Sequence, residues 1–308
     1  MFLTSIFCVS ILGQLKVAIS IDDVPNTSKY ERDCFQSVLL DKLDSLKIPV
    51  SIFINEGLIY KTIHVSENFD LLNRWAQKEY VTLGNHGFSH LRYSEVGIDS
   101  FTEEIDEGDS ITRQLSKLYN KKLFLFRMPY NDLGKDSLEQ SKITDLLESR
   151  EYLIAPFTIE SSDWMFNYLY EYYLRNNKRI EADSIAQTYL EITIDYFAFF
   201  DSLALNQYGR RINQIYLCHD NSLNADYFEV LIERLSDKGY SFISIDEALK
   251  DDVYTQSNCY NKKWGISWMY RWMKNNKERI QLMQREPDFT NVYERYESIN
   301  STELILIN

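Results

Sequence analysis

The segment LKVAISIDD, residues 15–23, begins as a largely apolar, β-branched run and ends in two adjacent aspartates. Such a run reads as a strand buried on both faces, the habit of parallel sheets. Downstream, helical spacing at Phe35, Val38, Leu39, Leu43 and Leu46 predicts a helix over 31–47, and IPVSIFI (48–54) a second strand. Strands follow at EYVTL (79–83), KLFLFR (122–127), EYLIAPFT (151–158), INQIYLCH (212–219) and YSFISI (240–245). Helices are predicted over 68–77, 100–119, 136–149 and 225–239, with a long tyrosine-rich helical stretch over 165–210. Strands alternating with helices favour parallel pairing with crossover helices. At least seven strands suit an α/β fold of the (β/α) barrel type better than a small open sheet. From 251 the pattern changes. WGISWMYRWMKNNKERIQLMQRE (264–286) reads as helix with three tryptophans, packed against the outside of the barrel.

The chain therefore divides into an N-terminal segment 1–14, a domain over 15–250 and a helical extension over 251–308. Residues 2–12, FLTSIFCVSIL, are too few to span a bilayer as a helix and look like the apolar core of an export signal, although no basic residues precede them. Export is the expectation. The net charge of −13 argues against nucleic acid or anionic membrane as a partner. Most of the 22 tyrosines and 17 phenylalanines are expected to fill the core. The four cysteines form neither a CxxC pair nor an evident disulfide framework.

The chemistry-bearing residues cluster where strands end, the place at which parallel α/β folds gather their active sites. Asp22 and Asp23 are costly to bury side by side, so they point either to a site or to a helix cap. His86 and His90, two of only four histidines, stand four apart after the third strand, a common metal-ligand spacing. Arg127 ends an apolar run and needs an anion, for which Asp22 is a candidate. Pro129 fixes the backbone so that the Tyr130 amide can be aimed at a substrate oxygen; an ordinary salt bridge and turn is the plainer reading. His219 could be a satisfied buried histidine or, with Asp163 as partner, a general acid. Two histidines and a carboxylate leave open positions for water and substrate.

In order, the motifs SIDD (20–23), NHGFSH (85–90), RMPY (127–130), SSDW (161–164) and LCH (217–219) resemble the five motifs of the polysaccharide deacetylase (NodB-homology) family of carbohydrate esterases. The resemblance runs from roughly Val17 to Ile245. It implies a distorted (β/α) barrel of seven or eight strands and metal-dependent removal of N- or O-acetyl groups from a glycan. It assigns Asp23, His86 and His90 to the metal and makes Asp22 the general base, oriented by Arg127. It gives the Tyr130 amide to the oxyanion and makes His219 the general acid, tuned by Asp163. Trp164 and Leu217 would wall the acetyl pocket. The ion would be zinc, with cobalt, nickel or manganese as alternatives. Val24, Gly87 and Glu160 depart from the usual Gly, Ser/Thr and Asp of the motifs, which bears on substrate choice more than on catalysis. The main alternative is a hydrolase of a small linear or cyclic amide. A non-catalytic glycan binder and a non-haem iron oxygenase are weaker rivals, and chitin oligomers, peptidoglycan and acetylxylan share the reacting group.

Overall fold

The computed structural model describes residues 13–307. The apolar segment 2–12 lies outside the described residues. Eight strands form one sheet: β1 (Lys16–Val24), β2 (Val50–Ile54), β3 (Val81–Asn85), β4 (Leu123–Phe126), β5 (Leu153–Ile154), β6 (Ile159–Glu160), β7 (Asn213–His219) and β8 (Ser241–Phe242). All ladders are parallel, in the order β5-β4-β3-β2-β1-β7-β6, with β8 on the first residues of β1. The sheet curls so that its last strands, β5 and β6, come from neighbouring stretches of chain. Among the described residues no ladder joins them, so this is a barrel with one open seam: the distorted (β/α) barrel expected from the motifs.

The register places the strand ends on one level. Val24 pairs Ile54, Ile54 pairs Asn85, Asn85 pairs Phe126, and Asp22 pairs His219. Alternation along each strand then sorts the side chains. Ala18, Phe53, Leu125, Ile215 and Leu217 form one buried apolar cluster, and the residues two further on, Ser20, Asn55, Arg127 and His219, continue the same faces towards the rim. Val17, Ile19, Ile21, Ile52 and Leu83 face the other way, into the larger core shared with the helices.

Several expected elements are broken, each for a local reason. The strand over 151–158 is two two-residue strands, because residues 155–158 leave the ladder at the seam. The helix over 31–47 is Thr27–Arg32 and Val38–Leu46, parted where Cys34 and Phe35 take positive φ (53° and 62°). The helix over 100–119 breaks into Tyr93–Glu107 and Ser110–Leu118 at Gly108, where a Cβ would lie 2.4 Å from the carbonyl carbon of Gly87. The stretch 165–210 is two helices, Asp163–Arg175 and Arg179–Tyr208. The tryptophan-rich stretch is not one helix but two short ones, Trp268–Arg271 and Asn276–Met283. Nor is it wholly external. Ser267 Oγ donates to the Thr158 carbonyl at 2.6 Å and Trp268 N–H to that of Phe157 at 2.9 Å, so this segment covers the open seam. No helix among the described residues is long and apolar enough to cross a membrane.

Candidate active site

In a regular strand Asp22 and Asp23 would point to opposite faces. Here the ladder slips between Ile21 and Val24, and Asp23 takes φ 58°, so the two carboxylates converge on the rim. His90 (φ 60°), Tyr130 (φ 56°) and Ser162 (φ 55°) repeat the device at three other strand ends. Such backbone is costly for residues with a Cβ and gathers at functional sites.

The loop after β3 is built around one carboxylate. Glu104 accepts from the amides of Phe88 (3.0 Å), Ser89 (2.8 Å) and Leu91 (3.3 Å), and Asn85 Oδ1 accepts from Gly87 N–H at 2.7 Å. Gly87 is required in this chain: φ is +79°, and a Cβ would stand 2.6 Å from Glu104 Oε1. The loop therefore sets His86 and His90 against Asp23. Nε2 of His86 is 3.7 Å and that of His90 3.8 Å from Asp23 Oδ1, and one ligand atom from each residue lies within 4.8 Å of the others. These separations are slightly wider than the ~3.3 Å between neighbouring ligands of a tetrahedral zinc site with bonds of about 2.0–2.1 Å. His86 donates from Nδ1 to the Arg127 carbonyl at 2.7 Å, which leaves Nε2 as a lone-pair donor. Burial would raise Asp23, but His90, His86 and His219, with a hydrogen bond from Asn55, hold it below the ordinary carboxylate value. Burial, with His86 close by, pulls His90 down to about 4, so its imidazole is neutral. The donor set thus fits a divalent ion.

Beside this trio, Asp22 is nearly sealed, at 2% exposure, and Arg127 is fully buried. Arg127 Nε faces Asp22 Oδ1 at 3.7 Å while Nη2 donates to Ser20 Oγ at 2.9 Å. Asp22 Oδ1 and Arg127 Nε have no hydrogen-bond partner, so the pair is held by charge alone. On the opposite side, His219 Nδ1 lies 2.6 Å from Asp163 Oδ1. Asp163 Oδ2 also accepts from His219 N–H (2.8 Å), Asn221 (2.9 Å) and Asn224 (2.6 Å), which pins it. Burial pulls His219 down, but the charge and hydrogen bond of Asp163, then Asp23 and Asp22, outweigh it and push the imidazole up to about 10.

These groups line one cleft of about 870 Å³. All ten predicted residues are in or against it: Asp22, Asp23, His86, His90, Tyr130, Trp164, Leu217 and His219 line it, while Arg127 and Asp163 stand directly behind. The sequence reading missed Asn55, Asp220 and Trp264, and saw Glu160 only as a motif departure; all four line the cleft. Asn55 and Asp220 were findable, since each follows a strand as the other site residues do. Burial, then the nearby Asp163, push Glu160 up to about 7.

A profile of the polysaccharide deacetylase family matches residues 12–147. The chain is 25% identical over 238 residues to YheN of Bacillus subtilis, classed as a polysaccharide deacetylase, covering 77% of this chain and 70% of that protein. Among solved structures it is similar to BA3943 of Bacillus anthracis, a CE4 family pseudoenzyme, at 15% identity and a TM-score of 0.50, covering 77% of this chain and 66% of the other. A BA3943 mutant with restored enzymatic activity is similar at 16% identity and the same TM-score, covering 77% of this chain and 68% of that one. These two likenesses concern the fold. With the motifs, the profile match over residues 12–147 and the barrel taken together, the chain is similar to the polysaccharide deacetylase family.

Proposed function

We propose that the protein is a metal-dependent hydrolase that removes acetyl groups, N-linked or O-linked, from a glycan and releases acetate. The observation that carries this reading is the convergence of Asp23, His86 and His90 between a buried Asp22–Arg127 pair and a His219–Asp163 pair. A complete set of base, acid and ligand positions favours an active enzyme over a fold that has lost its chemistry.

Asp23, His86 and His90 would hold the divalent ion, zinc by their donor types with cobalt, nickel or manganese as alternatives. When bound, such an ion supplies Lewis-acid polarisation of the acetyl carbonyl and lowers the pKa of water. Asp22, faced by Arg127 at 3.7 Å, takes the proton of the attacking water. The Tyr130 amide, fixed by its left-handed turn, faces the oxygen that gains charge. His219, kept protonated by Asp163, passes its proton to the departing amine or hydroxyl. Trp164 and Leu217 exclude water from the acetyl methyl. Export through residues 2–12 belongs to the same proposal, since it would bring the enzyme to envelope or extracellular glycans.

The test is acetate release from N-acetylglucosamine oligomers, peptidoglycan and acetylated xylan, before and after chelation. Release that chelation stops and zinc restores is expected from at least one. No release from any, by protein shown to contain metal, would overturn the reading in favour of small-amide hydrolysis.

A further inference from the structure

The wall of the cleft beside Tyr130 is not made by the barrel. It is made by Trp264 and Gly265, from the extension that follows the last strand. Their placement is tightly determined. Gly265 sits so close to the turn after β4 that a Cβ would lie 2.2 Å from the Tyr130 carbonyl oxygen. Arg271, fully buried, donates from Nη2 both to the Asn131 carbonyl at 3.0 Å and to the Trp264 carbonyl at 2.9 Å. One guanidinium thus ties the tryptophan's backbone to the turn that carries the proposed oxyanion amide. Three residues further on, Ser267 and Trp268 anchor the segment to the seam.

With its backbone so fixed, the indole of Trp264 is nonetheless 57% exposed. A lone surface aromatic ordinarily needs no explanation. A rigidly mounted one on a cleft wall differs, because its position is set by buried polar contacts of its backbone, while the Lys263 ammonium stands over the ring at 5.0 Å from the centroid. An indole offers a flat apolar face of the kind that packs on the C–H face of a pyranose, and it loses little conformational entropy in doing so. Tyr130, half-exposed next to it, and Trp164, 46% exposed, add two further aromatic rings to the lining of the cleft.

We propose that Trp264 is a stacking platform for a pyranose next to the one that loses its acetyl group, and that Arg271 is its positioning residue. The protein then selects linear chains over single sugars. This rests on the glycan deacetylase reading and adds to it the requirement for a neighbouring unit.

The experiment uses the zinc-reconstituted full chain with N-acetylglucosamine oligomers of one to six units, read two ways: kcat/KM for acetate release, and calorimetric Kd in a D22N background, where turnover is slowed by about 10²–10⁴. Trp264→Ala should cut the preference for long oligomers over the monomer about tenfold, in Kd as well as in kcat/KM. Trp264→Phe should recover part of it, and Arg271→Lys, too short to reach both carbonyls, should raise KM for long oligomers more than it lowers kcat. Oligomers that bind and react with the same length dependence in W264A as in the parent would overturn the platform alone. Failure of every oligomer to bind or react in the parent would overturn the platform, and with it the deacetylase reading only where peptidoglycan and acetylated xylan also release no acetate.

Discussion

His86 Nδ1 stands 2.7 Å from the carbonyl oxygen of Arg127, whose guanidinium in turn faces Asp22 at 3.7 Å. One residue of β4's rim therefore fixes the tautomer of a proposed metal ligand through its backbone and faces the proposed base with its side chain. Ligand and base are coupled by construction, and changes at Arg127 should register at both.

Asp22→Asn keeps the shape of the side chain and removes its basicity. Acetate release should fall by about 10²–10⁴, while zinc content, read by elemental analysis, stays at the parent level because Asp23, His86 and His90 are untouched. Undiminished release would remove Asp22 from the role of base.

Arg127→Met fills the same buried space without charge and strands Asp22. Breaking a buried ion pair from one side costs about 3–5 kcal/mol, which for a chain of this size is a fall in Tm of roughly 5–15 °C. Adding Asp22→Asn to Arg127→Met should recover much of that loss. A double variant no more stable than the single one would mean that the pair is not what holds the rim.

Asp163→Asn can keep one acceptor oxygen for the three N–H donors at Oδ2, but it then sets an NH2 against His219 Nδ1 and removes the charge behind that ring. The folded protein holds the His219 proton well above its ordinary value of 6.5, up to about 10. The stabilisation from this pairing is full below 6.5 and is lost as pH rises through 10. The parent's pH–rate profile should keep its alkaline limb well above neutrality, and the variant's limb should move down by roughly one unit or more. An unmoved limb would separate Asp163 from the acid.

Glu160→Gln tests the raised carboxyl on the cleft wall. A carboxyl pushed from 4.5 to about 7 stabilises the fold most when protonated, so its contribution is full below 4.5 and lost as pH rises through 7. Thermal melts of the parent should fall between pH 5 and 8, and the variant should lose part of that slope. Parallel curves would show Glu160 to be ionised without penalty.

What could be read from the sequence was local. Buried strands announce themselves as apolar runs, and Asp22, His86, Arg127 and His219 announce themselves as polar residues where those runs stop. Short-range geometry was less legible. Nothing in CFQS (34–37) signals left-handed backbone at Cys34 and Phe35, and residue 108, at the helix break, has no room for a Cβ because Gly87, on another element, stands there. The contribution of Trp264 was invisible, since its position follows from contacts with residues 130 and 131, more than a hundred positions earlier. Its tryptophan-rich neighbourhood read as packing, and for Trp268 and Trp272 it is packing.

The seam between β5 and β6 has a consequence in time. Thr158 waits for Ser267, which is 109 residues further along the chain. At synthesis rates of 5–20 residues per second that is roughly 5–20 s, during which the nascent barrel carries an open flank. A chaperone or a neighbouring nascent chain has that interval in which to reach the flank, and the last fifth of the protein acts as the latch that ends it.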